Sequence, residues 1–158
     1  MDFSLSEFDR RFALIDAHSR ELVSKLSDET LYARPRETRL EMAPFSCGEY
    51  ILRSAAMVER TFGGITTRLW DDPFEWTLPE KLSDIVSILN YLDEVEATRK
   101  NGFAFFNSDD DLKREIPAPK KLRTIFDILL ETVGFAEHFQ GRAFAMFQVM
   151  SDDPLPRL

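Results

Sequence analysis

The sequence predicts an all-α protein: a four-helix bundle with one long connection between its second and third helices. Three observations lead there. The eight prolines fall into clusters, Pro35 with Pro44, Pro73 with Pro79, Pro117 with Pro119 and Pro154 with Pro156. Proline interrupts a helix because it lacks the amide donor and clashes with the preceding turn, so the three inner clusters leave four proline-free blocks. Each block repeats apolar residues at helical spacing, and period-two alternation is absent except in "DLKREI", which reads as a short extended piece.

The blocks are taken in order. The first opens on a capping-box pattern, Ser4 with Glu7, and carries Phe8, Phe12, Ile15, Leu22 and Leu26 on one face. The second opens on Ser46 with Glu49 and continues through Ile51, Ala55, Val58, Phe62, Ile65 and Leu69. The third starts near Leu82 or Ser83, with Ile85, Leu89, Leu92, Val95 and Glu96 in line. The fourth is read from Lys121 to Met150, its inner face being Ile125, Ile128, Leu129, Thr132, Phe135, Phe139, Arg142 and Met146. Between the second and third blocks, Trp70, Phe74 and Trp76 are expected to pack the connection down or to cover one end of the bundle.

The chain has 158 residues, which is read as one domain over 1–158, with the bundle at about 4–150 and a short tail at 151–158. A formal charge of -8 argues against a nucleic-acid binder, which needs a basic face for phosphate contacts. The lysines and arginines are scattered; a local basic patch is conceivable around "PKKLR". One cysteine, Cys47, excludes an intramolecular disulfide and a cysteine-based zinc cluster, and suits a reducing cytoplasm. The N-terminal "MDFSLSEFDRRF" lacks the basic start and apolar block of a signal peptide. No apolar run approaches the roughly 18 residues of a membrane span. The expectation is a cytoplasmic protein with no membrane or nucleic-acid partner.

The order of local motifs resembles the DinB/YfiT-like superfamily of bacterial four-helix bundles. "LSDETLYARP" looks like its acidic, proline-ended linker, "FSCGEYILRSAAMVERTF" like its second helix, and "ILNYLDEVEATRKNGFAFF" like its third. "RTIFDILLETVGFAEHFQGRAFAMF" is similar to the last helix, whose usual form is a His-x-x-x-His pair running into Arg-Gly-Gln. The resemblance implies the superfamily's metal site: one histidine from the second helix and two, four residues apart, from the fourth. Imidazoles so spaced share one helix face and leave an open coordination position that activates water or a thiol. It also implies low-molecular-weight-thiol transferases and isomerases among the relatives.

Aligned on Gly141, the two fourth-helix ligand positions fall at Phe135 and Phe139, and the second-helix position falls at Ser54, with Arg53 as the one-residue alternative. Every inherited ligand is therefore replaced, and no metal or other cofactor is expected. Phe135 and Phe139 read as rings that fill the old site. His138, beside Glu137, stands open between a boundary histidine and a general base or lone ligand. His18 reads the same way on the first helix. A mixed site would have to recruit Glu59, Glu137 or Asp16.

Cys47, at a helix start, is read either as a small buried hydrophobe or as a thiol activated by the helix dipole. Arg142 and Glu59 are expected to face inward and pair, since a buried charge is costly alone; with Arg53, the same residues alternatively line a polar pocket for a small acid. Three functions follow. The first is a non-catalytic small-ligand-binding or interaction protein. The second is a thiol-dependent transferase or hydrolase using His138, Arg142 and Glu59. The third is a structural homodimer, with "FAFFN", Phe144 and Phe147 as its apolar surface.

Overall fold

The first amides of a helix have no partner inside it, so some other group must satisfy them. The computed structural model, which describes residues 3–35, 45–73 and 80–157, shows this done by both neighbouring and distant residues. Helix α1 (Phe3–Val23) does not start on the Ser4–Glu7 box. Ser4 and Leu5 instead donate their amides to the two carboxylate oxygens of Asp109, each at 2.9 Å. Glu7 turns to Arg10 at 2.7 Å. The carboxylate takes two of the amides at the helix start, in place of the Ser4–Glu7 box.

The acidic linker contains a one-turn helix, α2 (Asp28–Leu31), closed by a reciprocal Ser27–Thr30 cap. Helix α3 (Cys47–Thr67) starts on the Ser46–Glu49 capping box as the sequence predicts. It stops because Arg68 turns left-handed, with φ 65°, and donates its amide to the Gly64 carbonyl at 3.0 Å. Leu69, expected on the inner stripe, therefore falls beyond the helix and is exposed. The connection from α3 onward runs over 68–84, and of its aromatic residues Phe74 and Trp76 lie outside the described residues.

Helix α4 (Ile85–Phe103) is capped by Asp84, slightly later than the predicted start. A 3-10 helix (Asp109–Lys113) and an antiparallel hairpin, β1 (Glu115–Pro117) with β2 (Leu122–Thr124), follow. The extended reading of "DLKREI" holds for its Glu-Ile end only. Lys121 lies in the hairpin turn rather than in a helix, and α5 (Ile125–Met150) begins at the Thr124 cap.

The described residues are thus mostly helical, and the four long helices share one core. The most extensive contact is α3 on α5, followed by α3 on α4, with α1 against α4 and α5. Phe12, Phe62 and Phe103 meet at its centre, with centroid separations of 5.4, 5.0 and 6.2 Å. Gly102 leaves the room that Phe62 fills, since a Cβ there would lie 3.0 Å from the ring's Cγ and nearer still to Cδ1. No helix among the described residues is long and apolar enough to cross a membrane.

Candidate functional site

The inner face of α5 follows the expected one through Ile125, Ile128, Leu129 and Thr132, all buried, and departs from it beyond Thr132. Thr132, Ala136, Gln140, Ala143 and Phe147 are buried, whereas Phe135 is 44% exposed, Phe139 is half-buried and Arg142 is exposed. One residue along a helix turns the side chain by about 100°. Small residues at 136 and 143 let α3 approach closely, and Ser54 donates its hydroxyl to the Ala136 carbonyl at 2.8 Å. Gln140, polar in sequence, goes inside because its amide donates to the Ile15 carbonyl at 2.6 Å and to Ser19 Oγ at 2.8 Å. Of Ser54, Phe135 and Phe139, expected from the resemblance to stand at ligand positions, only Ser54 is buried; the two phenyl rings are exposed or half-buried rather than sealing the core.

The candidate catalytic residues are not brought together. His138 is exposed and meets Phe139 edge to face at 5.6 Å. Glu59 accepts a hydrogen bond from the Tyr91 hydroxyl of α4 at 2.6 Å; burial and this carboxylate hold the phenol well above its ordinary value. Arg142 reaches Tyr50 Oη at 3.4 Å. Tyr50 and Glu59 stand nine residues apart on α3, roughly 13 Å at 1.5 Å per residue. The expected Arg142–Glu59 pair is therefore replaced by two separate contacts to tyrosines. Arg53 lies over the Phe45 ring, 3.8 Å from its centroid.

Cys47 is buried with its thiol on the Ala143 carbonyl, and burial pushes it up to about 12. Desolvation is the cause of that rise. Phe144 and Phe147, expected as interface surface, are also buried, and of the phenylalanines in "FAFFN" only Phe105 is exposed, Phe106 being half-buried. Among the described residues no group of three or more His, Cys, Asp or Glu side chains is placed to hold a metal ion.

A different region has the shape of a binding site. A cleft of about 580 Å³ opens between α3, the start of α5 and the hairpin turn. Its lining brings Arg60 from α3 together with Lys120, Lys121 and Arg123 from the "PKKLR" stretch, and sets Asp127 and Glu131 of α5 among them. Arg123 donates to Asp127 at 2.6 Å and also pairs with Glu131. This bond, with the nearby charge of Lys121, holds the Asp127 carboxyl below the usual carboxylate range. Both carboxylates are thus engaged by one guanidinium. Arg60 has its Nε shut from solvent and without a hydrogen-bond partner.

The apolar side of the cleft is Trp70, Met57 and Ile128. Trp70 is fixed at two points: its indole N–H donates to the Pro117 carbonyl at 3.0 Å, and its ring lies directly on Gly64, where any Cβ would intrude. The floor is a hydroxyl chain. Thr132 donates to the Ile128 carbonyl at 2.7 Å, and Thr61 lies 2.7 Å from Thr132 Oγ1. A hydroxyl has one proton, so Thr61 is the donor of that pair. Sequence reading flagged "PKKLR", expected Trp70 to pack the connection down or cover an end of the bundle, and put Thr132 on the inner face. It did not single out Arg60 or Thr61 or join any of these into one site, since only the packing of α3 on α5 brings them together.

No family model, curated protein or solved structure matches this chain.

Proposed function

We propose that this chain is a small-ligand-binding protein built on a DinB-like four-helix bundle, with Ser54, Phe135 and Phe139 at the positions where the superfamily holds metal. The ligand is a small organic acid bound in the α3–α5–hairpin cleft. One observation carries this reading: on a chain of net charge -8, a 580 Å³ cleft gathers four cations against two carboxylates, both already paired to Arg123. That volume lies within the roughly 300–1,000 Å³ of small-molecule sites, with an apolar wall and a few convergent polar groups. The thiol-transferase alternative requires His138, Arg142 and Glu59 in one site, and their separate partners speak against it.

Thermal unfolding against a panel of aliphatic and aromatic carboxylates, sulfonates and phosphates tests the reading. At least one acid raises the midpoint, and the double variant Lys120→Ala/Lys121→Ala removes that rise. A panel with no stabilising acid overturns it. The superfamily register has its own test: Ser54→His with Phe135→His and Phe139→His should gain divalent-metal-dependent stability. A folded triple variant indifferent to zinc or nickel would sink the register.

The outer face of α5 supports a second reading, a homodimer. Leu130 and Val149 are exposed there, with Phe126 and Phe135 exposed at opposite edges of that face, and Gly134 and Gly141 have open space over them. Sedimentation at micromolar concentration decides it, a monomer ending the idea.

A further inference from the structure

The cleft also constrains the acid it takes. Resting on the reading above, we infer that the ligand is an organic phosphate monoester, bound as the dianion, with its apolar body against Trp70, Met57 and Ile128.

Charge is the first argument. Arg60, Lys120, Lys121 and Arg123 face Asp127 and Glu131, a surplus of two positive charges in the lining. A phosphate dianion neutralises it; a monocarboxylate leaves one positive charge behind. Hydrogen-bond polarity is the second. Thr61 gives its proton to Thr132, which gives its own to the Ile128 carbonyl, so the floor has no hydroxyl proton to offer a ligand. The donors left for an anion are the cationic N–H groups of Arg60, Lys120 and Lys121.

An ionised phosphate only accepts, through three terminal oxygens, and a guanidinium fork fits two of them side by side. Lysine ammonium groups serve the same ion as point charges. Size is the third argument. A cleft of about 580 Å³ exceeds what an inorganic ion fills, and its apolar wall would stay wet without an organic body.

Titration calorimetry of the full chain with phenyl phosphate, benzoate and inorganic phosphate tests this. Phenyl phosphate should bind at least about tenfold tighter than either of the others at about pH 7.5. Its affinity should fall about tenfold by about pH 5, because the second phosphate proton goes on near pH 6. Benzoate stays ionised across that window, and it reports any contribution from Asp127 and Glu131, the other titrating groups of the lining. Arg60→Gln and Lys120→Ala/Lys121→Ala should each remove the preference for phosphate over carboxylate.

Benzoate binding as tightly as phenyl phosphate, or a phenyl phosphate affinity that ignores pH, overturns the phosphate inference and leaves an acid-binding cleft standing. Inorganic phosphate binding as tightly as phenyl phosphate overturns the organic body. Failure of every acid in the wider panel falls on the ligand-binding reading itself.

Discussion

Gly63 and Gly64 are neighbours on α3, yet alanine at the two positions should move stability in opposite directions. A Cβ on Gly64 would stand 2.6 Å from Trp70 Cζ3 and closer still to Cε3 and Cδ2, whereas one on Gly63 meets nothing within 4 Å. Carbon pairs settle near 3.5–4.0 Å, so the indole must retreat by about 1 Å. Its hydrogen bond to the Pro117 carbonyl, at 3.0 Å, and its packing on the core oppose that movement. Overpacking costs about 1–3 kcal/mol, and the strained hydrogen bond adds about 1 kcal/mol. Replacing glycine by alanine within a helix returns about 1 kcal/mol.

The expected result is a net loss of about 1–3 kcal/mol for Gly64→Ala and a gain of up to about 1 kcal/mol for Gly63→Ala. Urea unfolding followed by far-ultraviolet circular dichroism reads both as shifts in midpoint at constant slope. In a Trp76→Phe background the emission of Trp70 reports the displaced ring directly. Gly64→Ala as stable as its parent, or Gly63→Ala losing as much as Gly64→Ala, refutes the reasoning.

Three further outcomes are expected. Asp109→Ala should lower the thermal midpoint by a few degrees by uncapping α1. Lost solvation pushes the Asp109 carboxyl upward, but the amides of Leu5 and Ser4 outweigh it and hold the group below its ordinary value. Its contribution is therefore full above the ordinary carboxylate value near 4. The gap between parent and variant should close as pH falls through the lowered folded value, and a gap that widens on acidification contradicts this.

Asp9→Ala should cost about 2 kcal/mol by urea unfolding, less than the roughly 3–5 kcal/mol of a fully orphaned buried charge. Arg99 is only 4% exposed and pairs with Asp9, yet it keeps Glu96 at 3.8 Å. A variant of unchanged stability would show the pair to be idle. Cys47, buried and pushed up to about 12, should react with a disulfide reagent about a hundredfold or more slowly than free cysteine near pH 8, and at full rate once unfolded. Rapid labelling of the native chain would contradict the burial.

Local chemistry was legible and long-range chemistry was not. The Ser46–Glu49 box places the start of α3 to the residue, because both capping partners lie within one turn. The start of α1 was misread because its partner, Asp109, lies more than a hundred residues downstream. On α4, Val95 and Leu92 were found by periodicity, while Arg99 was not, since its inward position depends on Asp9. On α5, periodicity found Ile125, Ile128, Leu129 and Thr132, but it carried Phe135 and Phe139 onto the same face. The close approach of α3 instead selects Ala136 and Ala143 and sets Phe135 aside. The basic run at the cleft was visible as "PKKLR", but its meaning was not, because Arg60 and Trp70 reach it only through tertiary packing.

The capping of α1 has a consequence for how the chain is made. Its first turn waits for Asp109, its inner face for Arg99 and Gln140, and its outer side for Glu137 through Arg11. All four belong to segments synthesised long after α1 has left the ribosome. Among the four long helices, the one made first is the one whose polar anchors arrive last, so during synthesis α1 has only its own local preferences until the C-terminal half closes over it.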